Sequence, residues 1–219
     1  MKLALFCTNL VRLVMQPFST KVYFLRHGEL EQQNVLAGRS DFELSKQGVQ
    51  QLEDAVAGLC DITTVTSSPL KRCRQFAQQL TSTRQLPFNI DSAIAEYDFG
   101  DWDGQSYKDL WQQGSSPTIG DFWQNPWHIT PPNGESMNAF YSRVETWWQQ
   151  LLAVISTQNT GSHLVITHAG VIKQLLAILC QLPRESLISQ NVFSIPYAGL
   201  ICVDVFIDEQ GDAWPKIVF

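Results

Sequence analysis

The sequence predicts an α/β fold in which a mainly parallel central sheet is flanked by helices on both faces. Three observations carry this. Short apolar runs suited to strands alternate with longer stretches of helical periodicity from residue 21 onward. Two of these runs end in a histidine, in Leu25-Arg26-His27-Gly28 and in Thr167-His168-Ala169-Gly170. In open α/β sheets the carboxyl ends of strands line the ligand crevice, and polar residues collect there. The 44% hydrophobic and 16% charged composition of the 219 residues suits a folded, soluble domain with a substantial core.

Residues 21–25 read as the first strand, with Gly28 marking a turn just beyond. Ser45 is placed to cap a helix over 45–59, where Val49, Leu52, Val56 and Leu59 recur at helical spacing. Residues 61–66 read as a second strand that ends at Ser67-Ser68-Pro69, and Pro69 suits the first turn of the next helix. That helix carries Leu70, Cys73, Phe76, Ala77 and Leu80 on one side, with Arg72 and Arg74 near its start. Residues 86–90 form a short third strand. The region of about 97–135 is rich in Trp, Tyr and Phe and in loop residues. It reads as an insertion over the carboxyl edge of the sheet, either as a satellite core or as a cover for a flat ligand. A long helix over 136–157, a strand over 163–167 and a helix over 171–179 follow. Strands are expected at 194–195, 199–207 and 214–219. No internal repeat or linker appears, so residues 21–219 read as one domain. Residues 1–20 read as an amphipathic extension, with Met15 an alternative start; Arg12 interrupts its apolar run, and it is too short to span a bilayer.

The formal charge of −6 gives no basic face for nucleic acid, and no stretch is long and apolar enough for a membrane span. Cys7, Cys60, Cys73, Cys180 and Cys202 are odd in number and widely spaced. They form neither a disulfide framework nor a zinc pattern and are expected to be buried and reduced, which points to the cytoplasm.

In a parallel sheet, strand ends of one polarity share an edge, so His27 and His168 can meet there. Ser67-Ser68-Pro69-Leu70-Lys71-Arg72 leaves another strand at the same edge and delivers Arg72. Arg26, Arg72, His27 and His168 therefore converge. Guanidinium donors hold phosphate oxygens, and an imidazole acts as nucleophile when an acid protonates the leaving group. The expected partner is a small-molecule phosphomonoester.

At these residues the chain resembles the histidine phosphatase superfamily, the phosphoglycerate mutase-like three-layer fold. Six segments match in family order: Leu25-Arg26-His27-Gly28-Glu29, Asp41-Phe42-Glu43-Leu44-Ser45-Lys46-Gln47-Gly48, Ser67-Ser68-Pro69-Leu70-Lys71-Arg72, Glu96-Tyr97-Asp98-Phe99-Gly100-Asp101-Trp102-Asp103-Gly104, Pro132-Asn133-Gly134-Glu135-Ser136 and Val165-Ile166-Thr167-His168-Ala169-Gly170. The resemblance implies that His27 becomes phosphorylated and that Arg26, Arg72 and His168 hold the phosphate. It implies that Glu96, in competition with Asp98, Asp101 and Asp103, protonates the leaving oxygen. It implies no metal and no organic cofactor. Asn34 stands one position later than is common in the family, so Arg39 and Ser40 compete with it as the remaining substrate ligand. His163 is expected to be structural and His128 to lie at the surface. The Glu96 segment is most similar to α-ribazole phosphatases of cobalamin biosynthesis. Alternatives within the fold are a broad-specificity sugar or nucleotide phosphatase and a phosphoglycerate mutase. The alternative of another class is a non-catalytic phosphate-binding regulatory module.

Overall fold

The structure is a computed structural model that describes residues 16–114, 116–157, 161–185 and 192–218. Six strands form one sheet: β1 (Phe18–Arg26), β2 (Ile62–Ser67), β3 (Phe88–Ile90), β4 (Ser162–Thr167), β5 (Leu200–Ile207) and β6 (Ala213–Val218), in the order β3-β2-β4-β1-β5-β6. The β3-β2-β4-β1 part is parallel, whereas β5 and β6 are antiparallel additions. β4 lies between two parallel strands and is buried along its whole length, which its apolar run requires.

Alternation along the strands sends successive residues to opposite faces. Val22, Phe24 and Val165 pack on one face with α5 (Met137–Thr157) and α6 (Ala169–Leu179). Tyr23, Leu25, Leu164 and Ile166 pack on the other with α1 (Lys46–Ala57) and α2 (Lys71–Arg84). Both faces are thus covered, and the anticipated mixed α/β architecture holds. Ser45 caps α1 as its position predicts, accepting from the Gly48 N–H at 2.9 Å.

Several elements differ from the sequence reading. β1 begins at Phe18 and pairs with β5 from there, so Phe18, Ser19 and Thr20 belong to the sheet and not to an extension; residues 1–15 lie outside the described ones. Ser194 and Ile195 are not a strand, because the chain there turns to present its backbone to β1. Pro69 sits ahead of α2, whose cap is Leu70. Cys73 is buried, but Cys60 and Cys180 are exposed, because both stand at helix ends where the chain emerges; all four described thiols are free. The aromatic region forms two short helices, α3 (Tyr107–Gln112) and α4 (Ile119–Gln124). Its Tyr97, Phe99, Trp102, Phe122 and Trp127 join the core of the α5 and α6 face, while Trp111 is exposed. Among the described residues, no helix is long and apolar enough to cross a membrane.

Gly28 does more than mark a turn. Neither it nor Gly48 adopts a left-handed φ; each is glycine because the two backbones touch. A Cβ on Gly28 would strike the Gly48 carbonyl, and one on Gly48 would strike the Glu29 backbone. Rigid main chain opposes both additions, so Gly48→Ala is expected to destabilise the protein by about 1–3 kcal/mol. Urea unfolding of the variant measures this, and an unchanged midpoint contradicts the close approach.

Candidate active site

The register between β1 and β4 creates the centre of the site. Arg26 pairs with Thr167, so His27 and His168 are the next residue on each strand. The His27 N–H donates to the Thr167 carbonyl at 3.0 Å, and the two imidazole rings stand 5.3 Å apart at 60°. β2 ends at the same level, with the Ser68 N–H on the Ile166 carbonyl at 3.0 Å. From there the chain enters α2 and places Arg72. The predicted convergence of His27, His168, Arg26 and Arg72 is what the structure contains.

Hydrogen-bond partners assign the tautomers. His27 Nδ1 lies 2.8 Å from the Gly28 carbonyl, which only accepts; Nδ1 therefore carries the proton and Nε2 keeps its lone pair. His168 Nδ1 receives the Arg72 Nε–H at 3.2 Å, so His168 is protonated at Nε2, which donates to Ser68 Oγ at 2.7 Å. Burial, reinforced by Arg72 and Arg26, holds the His27 pKa well below the usual imidazole value. Burial also lowers His168, with Arg72 and His27 adding to the effect. Both imidazoles are neutral at pH 7.

Arg72 is fully buried. Besides the bond to His168, Nη1 donates to the Ser40 carbonyl at 2.7 Å and Nη2 to the Gly38 carbonyl at 2.6 Å. One N–H of each terminal nitrogen is thereby used, and each nitrogen carries a second. Arg26 donates from Nη1 to the Ile195 carbonyl at 2.6 Å and stacks 4.1 Å over the Tyr197 ring. Burial lowers its pKa, with Tyr197 and Glu96 opposing.

Glu96 lies beside the first turn of α6. Its carboxylate accepts from the Gly170 N–H at 3.1 Å and from its neighbour Tyr97 N–H at 3.0 Å. A Cβ on Gly170 would occupy the position of a Glu96 oxygen, which is why glycine stands there. The Glu96 carbonyl accepts from Arg143 Nη2 at 3.1 Å, and Arg143 makes a bidentate pair with Glu135 at 2.7 and 3.0 Å.

A cavity of about 400 Å³ opens beside these groups, lined by Arg26, His27, Asn34, Glu96 and Lys173 and by an aromatic wall that includes Phe99 and Trp123; the fully buried Arg72 and His168 stand behind it and do not line it. Of the four acids that competed for the proton-donor role, only Glu96 lines it. Asp98 accepts from Gly100, Asp101 from Asn133, and Asp103 from the loop at 38–40. Asn34 lines the cavity with a left-handed φ of 59°, a conformation that asparagine tolerates, and its carbonyl accepts from Tyr107. Its late position thus serves the loop's turn. The Ser40 carbonyl and the Arg39 side chain do not line the cavity. His163 is buried in β4, and His128 is exposed on Asn125, as expected. The sequence reading missed Lys173, Arg143 and Tyr197. Lys173 follows Gly170 by one helical turn on α6, a spacing that signals its place in the cavity wall; nothing local marks Arg143 or Tyr197.

An α/β sheet whose carboxyl edge gathers two guanidiniums, an imidazole lone pair and one carboxylate, with Arg26, His27 and Glu96 facing a cavity, defines an enzyme built to handle phosphate. Comparison with known proteins narrows that class. The family model for the histidine phosphatase superfamily (branch 1) matches residues 22–209. The chain belongs to that superfamily, and it is an enzyme that acts as a phosphatase. It is 31% identical over 172 residues to an adenosylcobalamin/alpha-ribazole phosphatase of Escherichia coli (strain K12), covering 76% of this chain and 82% of that one. It is 29% identical over 180 residues to a 2,3-bisphosphoglycerate-dependent phosphoglycerate mutase of Bartonella quintana, covering 77% and 85%. The crystal structure of the alpha-ribazole phosphatase of Shigella flexneri superposes with a TM-score of 0.74 at 27% identity, covering 91% of this chain and 96% of that one.

Two outcomes follow from this geometry. His27, His163 and His168 all have pKa values lowered by burial. Between those values and 6.5 the unfolded chain binds more protons than the folded one, so stability rises with pH through that window, is fully present above it, and declines as pH falls below about 6.5. The urea midpoint is therefore expected to be lower at pH 5.5 than at pH 7.5; an equal or higher midpoint at pH 5.5 contradicts three neutral buried imidazoles. Gly170→Ala is expected to displace the Glu96 carboxylate and to slow turnover of an alkyl phosphate by roughly 10–100-fold. Steady-state kinetics on the folded variant checks this, and wild-type turnover contradicts it.

Proposed function

We propose that the chain hydrolyses phosphomonoesters through a phosphohistidine at His27 and that its substrate is α-ribazole 5′-phosphate. The observation that carries the mechanism is the His27 tautomer. Nδ1–H is committed to the Gly28 carbonyl, and the lone pair on Nε2 is available at neutral pH because the pKa is depressed.

In the first step Nε2 attacks phosphorus and the bond to the leaving oxygen breaks. Glu96, protonated, gives its proton to that oxygen as charge develops. In the second step Glu96, now a carboxylate, takes a proton from a water that attacks the phosphohistidine, which releases orthophosphate and frees Nε2. Arg26 and Arg72 hold the phosphoryl oxygens and stabilise the equatorial charge of the transition state, while His168, its Nε2–H committed to Ser68 Oγ, accepts the Arg72 Nε–H and backs that guanidinium. The remaining N–H groups on the Arg72 terminal nitrogens supply donors, while the carbonyls of Gly38 and Ser40 fix the plane of the fork.

The aromatic wall supports a flat leaving group. Phe99 and Trp123 line the cavity with their rings 6.1 Å apart, and Trp123 remains 39% exposed at its rim. Similarity to the E. coli and Shigella flexneri phosphatases points to the same substrate. A mutase of the same superfamily is also similar, but residues 97–132 contain Lys108 as their only lysine or arginine. A second acidic substrate group finds little counter-charge there, which favours hydrolysis.

The test is a comparison of kcat/KM on α-ribazole 5′-phosphate, 3-phosphoglycerate and sugar phosphates, with and without chelator. α-Ribazole 5′-phosphate is expected to lead by about tenfold or more, the value of one or two good ring contacts, with chelator having no effect. Trp123→Ala is expected to reduce that lead without changing turnover of sugar phosphates. His27→Ala is expected to abolish turnover of every substrate. Undiminished activity in that variant refutes the phosphohistidine route; equal turnover of all substrates refutes only the substrate assignment.

A further inference from the structure

Asp103 is an acid of the aromatic region that does not reach the cavity, yet its carboxylate accepts three hydrogen bonds. Oδ1 accepts from the Gly38 N–H at 3.0 Å. Oδ2 accepts from the Ser40 N–H at 3.1 Å and also from the Arg39 N–H. Three successive backbone donors thus wrap one carboxylate, as in an anion nest. The opposite side of the same loop faces Arg72, through the carbonyls of Gly38 and Ser40. The peptide unit joining Gly38 to Arg39 therefore lies between an anion and a cation. Its N–H points to Asp103 and its C=O points to Arg72 Nη2. Each charge polarises that peptide in the direction that strengthens the bond on the other side. Among the described residues Arg72 makes no ion pair, so this relayed contact is how a carboxylate reaches a fully buried guanidinium.

We propose that Asp103 is a positioning residue for the phosphate-holding group: it shapes the loop at 38–40 so that the loop's carbonyls fix the Arg72 guanidinium, which in turn orients His168. This deepens the phosphatase reading of the site and rests on it. The joint between the two segments does not depend on Asp103 alone. The Leu36 N–H donates to the Gln105 carbonyl at 2.9 Å, and the Gly104 N–H to the Leu36 carbonyl at 2.8 Å. Those bonds keep the loop attached when the carboxylate is removed. What is lost is the local turn at 38–40 and with it the direction of its carbonyls.

The experiment compares Asp103→Asn, Asp103→Glu and, as a control, Asp101→Asn, whose exposed carboxylate bonds only Asn133 among the described residues. Three quantities are read: inhibition by inorganic phosphate, kcat/KM on phosphomonoesters with good and poor leaving groups, and the urea midpoint. For Asp103→Asn the inhibition constant for phosphate is expected to rise about tenfold, the value of one charge-assisted hydrogen bond. kcat/KM is expected to fall by the same factor for good and poor leaving groups, because Arg72 acts on the phosphoryl group common to both. Asp103→Glu is expected to recover part of the loss, and Asp101→Asn to behave as wild type. A loss confined to poor leaving groups with phosphate inhibition unchanged overturns the proposal, since it assigns Asp103 to the proton donor's side. A lowered urea midpoint with unchanged phosphate inhibition overturns it too, as a purely structural role. If instead His27→Ala retains activity, the phosphohistidine reading itself fails, whatever Asp103 does.

Discussion

The parallel pairing of β1 with β4 is the constraint on which the rest depends. Its register puts Arg26 opposite Thr167, and a slip of one residue would turn every side chain on either strand to the wrong face. The register is protected by what each face buries. Val22 and Phe24 must meet α5 and α6, while Tyr23 and Leu25 must meet α1 and α2. The two histidines therefore meet as a consequence of core packing, and the hydrophobic energy of the sheet holds them together. The mutual contact of Gly28 and Gly48 then holds the chain that leaves His27 against the start of α1.

Burial is the second organising effect. The chain carries a net charge of −6, yet its site gathers Arg26 and Arg72 around two imidazoles from which water is largely excluded. Desolvation, reinforced by the nearby guanidiniums, disfavours imidazolium and so keeps the lone pair required of the proposed nucleophile. An incoming phosphate dianion supplies the guanidiniums with counter-charge while burial continues to hold the His27 ring neutral. The site is thus poised for an anion, with its polar groups already oriented by backbone carbonyls.

Much of this was legible in the sequence because strand ends carry local signals. An apolar run stopping at Arg26-His27 or at His168 announces both the strand and its polar terminus, and the alternation of elements announces the sheet. Glu96 was legible only through family resemblance, since Asp98, Asp101 and Asp103 lie within seven residues of it. What separates the four acids is which of them is bonded by a turn, by Asn133 or by a distant loop, and side-chain-to-backbone bonds of that kind leave no periodicity. The same reason hid Arg143, which holds the Glu96 carbonyl from α5, and Tyr197, whose ring underlies Arg26. The antiparallel placement of β5 and β6 was not legible either, because apolar strands read alike in both orientations. Asn34 was found by family position but owes its place in the loop to a left-handed backbone.

The cavity is made by two stretches of chain with different obligations. The groups proposed to hold the phosphoryl moiety come from strand ends and α2, where a change disturbs the core. The aromatic wall comes from residues 97–135, whose buried rings share the core of the α5 and α6 face while Trp111 and Trp123 stay exposed. The exposed rim of the wall, at Trp123, can change for another leaving group with less disturbance to the core than the strand ends allow. Exchange of that rim between relatives, with the Asp103 joint kept intact, is then a direct route to phosphatases of new selectivity.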